Sequence, residues 1–248
     1  MTTLIIWRTP AEGSRPGLPE IGILLTSAYR GSRIVTYTLY YSPSGASMAV
    51  HWMLIEMGIA FDAQLVDIDT GAQHTPEYLR LNPAGRVPTL TIDGIPRTES
   101  AALLMLLAER HPEALLAPIP NSPHRAEWLE LMVYLANTLL PAMRDWFYAD
   151  TDGEPQGAAA VQALARRRIE AAWERLNMHL ADGRDYLVGG RLSTADFLAI
   201  MLMRWSRNMP RRATEWPHLA RYIQCLRALP SFIEVNAREG LSDWLNPA

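Results

Sequence analysis

The composition is that of a globular protein without a strongly charged surface. At 248 residues the chain is long enough for one large or two small domains, and 49% hydrophobic with 20% charged residues is ordinary for this class. A net charge of −3 gives no reason to expect a nucleic-acid partner, and the longest apolar stretch, Ala101–Ala108, is too short to cross a bilayer.

Cysteine usage limits the redox chemistry that the chain can perform. Cys225 is the only cysteine, so neither an intrachain disulfide nor a Cys-X-X-Cys site is possible, and a cytoplasmic location is expected. Cys225 lies among apolar residues late in the chain and is predicted to be a buried structural thiol. Any thiol chemistry therefore requires a thiol that arrives with a ligand.

The first 33 residues differ in character from the rest of the chain. They are rich in glycine, proline and serine between residues 13 and 19, and the apolar stretch Leu4–Trp7 is too short for the core of a signal peptide. We treat residues 1–33 as an N-terminal extension of unknown role.

Strand and helix patterns alternate over the next part of the chain. A β-branched and aromatic run indicates a strand, Gly58 indicates a helix end, and Thr75 before Pro76 indicates a helix start. The predicted elements are a strand at Val35–Tyr41, a helix at Ala46–Met57, a strand at Ile59–Val66 and a short helix at Thr75–Leu81.

A loop that leads into a hairpin comes next, with the sequence Asn82-Pro83-Ala84-Gly85-Arg86-Val87-Pro88-Thr89-Leu90. Asp93-Gly94 is a strong turn signal, which predicts paired strands at Thr89–Ile92 and Ile95–Thr98. The polar residues Thr98-Glu99-Ser100 precede an apolar run, so we expect a helix over Ser100–Arg110 that a polar side chain caps.

The end of this loop and the start of this helix together suit a peptide-like ligand. Pro88 has no N–H and keeps Val87 extended, which leaves the Val87 N–H and C=O free to pair with an extended ligand. The helix N-terminus at Ser100 favours a carboxylate, and Glu99 beside it could hold a cation. A ligand with a peptide backbone, a carboxylate and an ammonium group would match all three features.

The loop motif, with Thr-Glu-Ser after the hairpin, resembles the glutathione-binding half of the soluble glutathione transferases. The resemblance covers Ile34 to Arg238 and implies an α/β thioredoxin-like N-terminal domain followed by an all-α domain. It also implies that Pro88 is cis, that Val87 pairs with the cysteinyl backbone of glutathione, and that Glu99 and Ser100 bind the γ-glutamyl end. The expected division is a thioredoxin-like domain at residues 34–111, a proline-rich linker at 112–123 and a helical domain at 124–248.

Helical periodicity dominates the second half. Ser193 with Asp196 three positions later forms a capping-box pattern, so Asp196 is predicted to be structural, although a catalytic carboxylate is the alternative. Arg166-Arg167-Arg168 is predicted to be a solvated helix edge rather than a phosphate site. The predicted helices are His124–Leu139, Ala158–Leu180, Phe197–Trp205, Trp216–Leu229 and Pro230–Arg238.

Glutathione transfer needs a group that stabilises the thiolate, because the thiolate is the nucleophile. The hydroxyl candidates near the first strand and helix are Tyr40, Tyr41, Ser42, Ser44 and Ser47. When the spacing before Gly58 is compared with the serine-using classes of the family, the active serine falls on Ser44. The corresponding comparison with the beta class places its cysteine on Ala46, so that cysteine is absent. Ser44 is the first candidate, with a turn serine as the alternative reading, and Ser47 is the second candidate.

Further residues are assigned through the resemblance. His74 and Arg86 are candidates for the glycine end of glutathione, and surface positions are the alternative for both. Leu140, Trp146 and Phe147 are candidates for an apolar second-substrate pocket, although core residues occur at the same helical spacing.

The predicted activity is conjugation of glutathione, used as co-substrate, to a small apolar electrophile, as in cellular detoxification. A glutathione-dependent ether-cleaving enzyme, dehalogenase or isomerase on the same scaffold is an alternative, and a non-catalytic binding module is another. The zeta-class isomerase signature is missing, since the chain reads Ser44-Gly45-Ala46-Ser47-Met48. The resemblance implies a homodimer, and we expect no metal, nucleic acid or membrane partner.

Overall fold

A four-stranded mixed sheet lies at the centre of the first half. Its strands are β1 (Tyr37–Tyr41), β2 (Asp62–Leu65), β3 (Thr89–Ile92) and β4 (Ile95–Thr98). The order across the sheet is β2-β1-β3-β4, with β1 parallel to β2 and antiparallel to β3, and with β3 antiparallel to β4. Every residue of β3 is buried, whereas β2 is an exposed edge.

Within residues 35–245, three α-helices accompany the sheet: α1 (Met48–Glu56), α2 (Pro76–Leu79) and α3 (Ser100–Arg110). The element order is therefore β-α-β-α-β-β-α, which confirms the predicted thioredoxin-like arrangement. α1 is buried from Met48 to Leu54 because it packs against α3 and against the helical half. A helix that is apolar on all sides suits a position with neighbours on all sides.

The second half is helical, as predicted. Its helices are α4 (Arg125–Tyr134), α5 (Leu140–Phe147), α6 (Ala158–His179), α7 (Thr194–Trp205), α8 (Pro217–Arg227) and α9 (Pro230–Arg238). α7 is the central helix, and all its residues from Thr194 to Arg204 are buried. α7 and α9 both contact α1, and these contacts join the helical half to the sheet half.

The computed structural model describes residues 35–245, so the predicted extension at residues 1–33 lies outside the described residues. From Val35 onward the chain forms one compact unit. Within the described part, no helix combines the length and hydropathy that a membrane span requires.

The capping box at α7 is confirmed, and it makes Asp196 structural. The Asp196 carboxylate accepts hydrogen bonds from the Ser193 N–H at 2.8 Å, the Ser193 hydroxyl at 3.0 Å, the Leu187 N–H at 2.8 Å and the Tyr222 hydroxyl at 2.8 Å. Burial of the carboxylate raises its pKa above the ordinary value. With its acceptor sites occupied by protein donors, Asp196 is not placed to act on a substrate.

The prediction of a side-chain cap on α3 was wrong. Glu99 occupies the cap position but makes no capping hydrogen bond through its side chain. Its φ of 69° lies in the left-handed region, and the Ser100 hydroxyl is used elsewhere, as a donor to the Ala46 carbonyl. The first N–H groups of α3 are therefore not satisfied by a capping side chain of Glu99.

The predicted helix His124–Leu139 differs in its last part. After α4 the chain forms a π-helical segment, Leu135–Leu139, and continues directly into α5. Pro141 explains the widening, because proline supplies no N–H and its ring clashes with the carbonyl four residues earlier in a regular α-helix.

Two smaller corrections concern the edge strand and the cysteine. β2 covers only Asp62–Leu65 of the predicted Ile59–Val66, the residues that lie in register with Thr38–Tyr41 of β1. Cys225 is partly exposed rather than buried, and partial burial raises the pKa of its thiol. Arg166, by contrast, pairs with Glu170 on the surface of α6, as a solvated helix edge requires.

Candidate functional site

The loop before β3 is held by hydrogen bonds to one carbonyl. The Tyr78 hydroxyl donates to the Arg86 carbonyl at 2.7 Å, and the Asn82 side-chain amide donates to the same oxygen at 2.6 Å. The following peptide bond, Val87–Pro88, is cis, as the resemblance implied. Across residues 35–245, no hydrogen bond engages the main-chain N–H or carbonyl of Val87. These two groups are therefore available to an extended ligand.

The start of α3 lies beside the start of α1. The buried Ser100 hydroxyl donates to the Ala46 carbonyl at 2.7 Å, which fixes one helix start against the other. The first N–H groups of an α-helix have no partner inside the helix, so this end of α3 can receive a carboxylate. The exposed Glu99 carboxylate stands next to it.

His74 lies against the loop at Gly85. A Cβ atom added to Gly85 would come within 2.8 Å of His74 Nδ1, and Gly85 has a φ of 61°. A glycine is required here both for this backbone conformation and for the close approach of the imidazole. His74 is itself exposed, as is Arg86, so both side chains are accessible to a ligand.

The N–H, the carbonyl and the hydroxyl of Ser44 all form hydrogen bonds with residues of the helical half. Its N–H donates to Glu239 Oε2 at 2.8 Å, its carbonyl accepts from Trp205 Nε1 at 2.8 Å, and its hydroxyl oxygen accepts from Arg204 Nε at 3.1 Å. The φ of Ser44 is 57°, a conformation that non-glycine residues rarely adopt. These contacts stabilise the left-handed conformation, and they leave the hydroxyl proton free to donate to another group.

The other hydroxyl candidates have different surroundings. The Ser47 hydroxyl is buried, donates to the Ser42 carbonyl and accepts from the Ser42 N–H, both at 3.1 Å. This pairing closes the turn before α1 and favours a structural role for Ser47. Tyr41 packs on His51, with ring centroids 5.0 Å apart, whereas Tyr40 faces the opposite side of the sheet and meets Tyr78.

The predicted glutathione residues are thus brought to one region. Gly45 follows Ser44, and a Cβ atom added to it would lie 3.6 Å from a methyl group of Val87. Ala46 follows in turn and accepts the hydrogen bond from Ser100. The turn before α1, which contains Ser44, therefore adjoins the Val87 side chain and the start of α3.

The predicted second-substrate residues lie on a different helix pair. Leu140 and Trp146 are half-buried against the core, and Phe147 is 36% exposed. All three belong to α5, which packs chiefly on α6, and the Trp146 carbonyl accepts a hydrogen bond from Gln162 of that helix. Their role in a pocket stays a prediction.

Sequence reasoning did not identify the residues that hold Ser44. Arg204, Trp205 and Glu239 are 160 to 195 positions away from it in the chain. A signal was present, because Arg204 interrupts the apolar run of α7, and an arginine is rarely buried unless it is paired. The run alone does not reveal the partner.

Glu239 links Ser44 to α1 as well. Its carboxylate is fully buried and lies 2.8 Å from Nδ1 of His51, which is also buried. This hydrogen-bonded pair joins α1 to the helical half of the chain. The Nε2 atom of His51 has no hydrogen-bond partner within the described part of the chain.

The comparisons with known proteins point to one family. The family described as "Glutathione S-transferase, N-terminal domain" matches residues 43–110, and "Glutathione S-transferase, C-terminal domain" matches residues 158–225. The chain is 31% identical over 171 residues to glutathione S-transferase GST-4.5 of Xanthomonas campestris pv. campestris, which covers 68% of this chain and 81% of that protein. It is 29% identical over 206 residues to glutathione S-transferase GstA of Escherichia coli O157:H7, which covers 82% of this chain and 98% of that protein.

A solved structure with the same fold contains the ligand. It is a glutathione transferase homologue from Sulfitobacter with bound glutathione, which is 27% identical, covers 84% of this chain and 99% of its own, and superimposes with a TM-score of 0.76. Fold and site together define a two-part protein with a thioredoxin-like peptide-binding half and a helical half. The chain belongs to the glutathione S-transferases, the enzyme family that transfers the glutathione thiol to electrophiles.

Proposed function

We propose that this protein conjugates the thiolate of glutathione to a small apolar electrophile and that the Ser44 hydroxyl stabilises the thiolate. Glutathione is the co-substrate, and no metal takes part. The helical domain, residues 124–248, follows the thioredoxin-like domain, residues 34–111, through the linker at 112–123. The working form is a cytoplasmic homodimer, as is usual in this family.

Glutathione would bind in part through main-chain groups that have no hydrogen-bond partner among residues 35–245. The Val87 N–H and carbonyl would pair with the cysteinyl backbone next to Pro88. The start of α3 at Ser100 would receive the γ-glutamyl carboxylate, and Glu99 would receive the ammonium group. At the other end of the tripeptide, His74 and Arg86 would pair with the glycine carboxylate.

The single observation that carries the role of Ser44 is its hydrogen-bond geometry. Its oxygen already accepts from Arg204 Nε, so the hydroxyl proton is directed away from that guanidinium and can be donated to a sulfur. A hydrogen bond to a charged acceptor contributes about 1.5–3 kcal/mol, which corresponds to a decrease of about one to two units in the thiol pKa. A free thiol titrates near ~8.5, so this decrease is enough to populate the thiolate at neutral pH. The electrophile would be held by Leu140, Trp146 and Phe147.

The start of α1 offers a second way to stabilise the thiolate. In the part of the chain that the structure describes, the N–H groups of Ala46 and Ser47 have no hydrogen-bond acceptor. They lie one and two residues before α1, at the positive end of its dipole. Ala46 is also the position that the resemblance matches to the beta-class cysteine.

A titration of the bound thiol distinguishes these possibilities. The ultraviolet absorbance of thiolate would be followed against pH for glutathione bound to the wild type, to Ser44→Ala and to the control Ser122→Ala, which removes a distant hydroxyl in the linker. We expect a bound-thiol pKa well below ~8.5 in the wild type and the control, and an increase of about one unit in Ser44→Ala. Ser44→Ala leaves the main-chain contacts to Glu239 and Trp205 in place, so it tests the hydroxyl alone.

Two results would contradict the proposal. A lowered pKa that Ser44→Ala leaves unchanged would transfer the role to the N–H groups at the start of α1. Binding without ionisation, or no binding of glutathione, would indicate a non-catalytic module that keeps the fold.

A further inference from the structure

Among the residues that the structure describes, Arg204 is the one that forms a hydrogen bond with the Ser44 hydroxyl. Its side chain is fully buried near the end of α7. Besides the bond from Nε to Ser44, one terminal nitrogen donates to Asn236 Oδ1 at 3.1 Å and the other donates to the Asp243 carboxylate. The three guanidinium nitrogens thus donate to three different residues, which holds the planar group in one orientation.

A guanidinium in this position affects the hydroxyl in two ways. First, it occupies a lone pair of the Ser44 oxygen, and the proton must therefore point to another side. Second, the buried positive charge of Arg204 lies next to the oxygen, which strengthens the hydroxyl as a donor to an anion. Both effects favour a thiolate over a neutral thiol as the acceptor.

The charges around Arg204 oppose each other in part. Asp243 lies in the segment after α9, is about half exposed, and also pairs with Arg207 at 2.9 Å. Glu239, directly after α9, adds a buried negative charge beside His51 of α1. Burial lowers the pKa of Arg204 from its ordinary value, which is high enough that the group stays charged at neutral pH. Because these charges partly cancel, we expect Arg204 to shift the pKa of the bound thiol by an amount at the low end of the range for a nearby charge.

We infer that Arg204 is a positioning residue for thiolate formation, which orients and polarises the Ser44 hydroxyl toward the sulfur of bound glutathione. The inference rests on the proposed function, because it assigns Arg204 an action through Ser44. It also gives the helical half a part in activating a thiol that the other half binds.

The test measures the bound-thiol pKa in variants of Arg204 and its partner. Arg204→Met should raise this pKa by about one unit and lower kcat with little change in KM for glutathione, because an opposite charge at this range shifts a pKa by about 1–3 units. Arg204→Lys keeps the charge and should recover part of the shift. Asp243→Asn removes a compensating charge and should move the pKa in the opposite direction, downward, while retaining an oxygen that can accept from Arg204.

The double variant Ser44→Ala/Arg204→Met tests whether Arg204 acts through Ser44. If it does, Arg204→Met should produce less than half of its usual shift when the hydroxyl is absent. Circular dichroism spectra would confirm that each variant is folded. Should Arg204→Met fail to fold, Arg204→Lys and Asp243→Asn, which changes a half-exposed side chain, still carry the test through their opposite signs.

The outcomes separate this inference from the proposed function. If Ser44→Ala raises the bound-thiol pKa and the Arg204 variants do not, the inference is wrong and the proposed function stands. Additive shifts in the double variant would mean that Arg204 acts on the thiolate directly, which also overturns the positioning role. If Ser44→Ala has no effect, the proposed function fails, and the inference fails with it.

Discussion

Removal of the Asp196 carboxylate should be among the most costly single changes in the helical half. Alanine at this position leaves the Leu187 and Ser193 N–H groups and the Tyr222 hydroxyl without their acceptor. Each unpaired buried donor costs about 1–3 kcal/mol, partly offset because the carboxylate no longer has to be desolvated. We expect Asp196→Ala to lower the free energy of unfolding by about 3–5 kcal/mol.

Thermal and urea unfolding followed by circular dichroism would measure this loss. At about 2–4 °C per kcal/mol for a chain of this size, the midpoint should decrease by about 10 °C. The matched control is Asp185→Ala, which breaks an exposed ion pair with Arg221 and should cost less than about 1 kcal/mol. A loss below about 1 kcal/mol for Asp196→Ala would refute the reasoning, because it would mean that the exposed donors find water after the change.

The difference in unfolding free energy between the wild type and Asp196→Ala should depend on pH in a definite direction. Burial raises the folded-state pKa of Asp196 above its unfolded value, so protonation favours the folded protein. The stability that this group contributes is complete below the unfolded pKa of about 4 and decreases as the pH rises through the raised folded pKa. The difference in unfolding free energy between the wild type and Asp196→Ala should therefore be larger near pH 4 than near pH 8. A difference that grows as the pH rises would contradict the raised pKa of Asp196.

Two further variants test the glutathione site. Gly85→Ala places a Cβ atom 2.8 Å from His74 Nδ1 and should weaken glutathione binding, measured by calorimetry, by several-fold. The control Gly58→Ala also has a positive φ but has open space around it, so it should lose only about 1 kcal/mol of stability. Equal affinities for glutathione in both variants would show that His74 is not part of the site. Ser47→Ala removes both hydrogen bonds to Ser42 and should cost about 1–2 kcal/mol of stability without changing the bound-thiol pKa, and a pKa that rises would make Ser47 the thiol ligand instead.

Local signals in the sequence predicted many of the element boundaries. The hairpin Thr89–Ile92 and Ile95–Thr98 and the helix Ser100–Arg110 agree residue for residue with the structure, because the Asp93-Gly94 turn and the apolar run of α3 are contiguous in sequence. The caps at Thr75 and Ser193 were also predicted, since each acts within three residues. Local geometry was not sufficient for Glu99, whose polar side chain suggested a cap but whose backbone is left-handed.

The sequence alone determined three features of a glutathione transferase. These are the Val87-Pro88 loop, the start of α3, and the order of strands and helices. Tertiary structure alone decided the surroundings of Ser44. Arg204, Trp205 and Glu239 come from α7 and from the region after α9, so only the packing of the helical half on α1 brings them to a turn more than 150 residues earlier. A buried charge in an apolar helix shows in the sequence that a partner must exist, but the identity of the partner depends on contacts that no local pattern encodes.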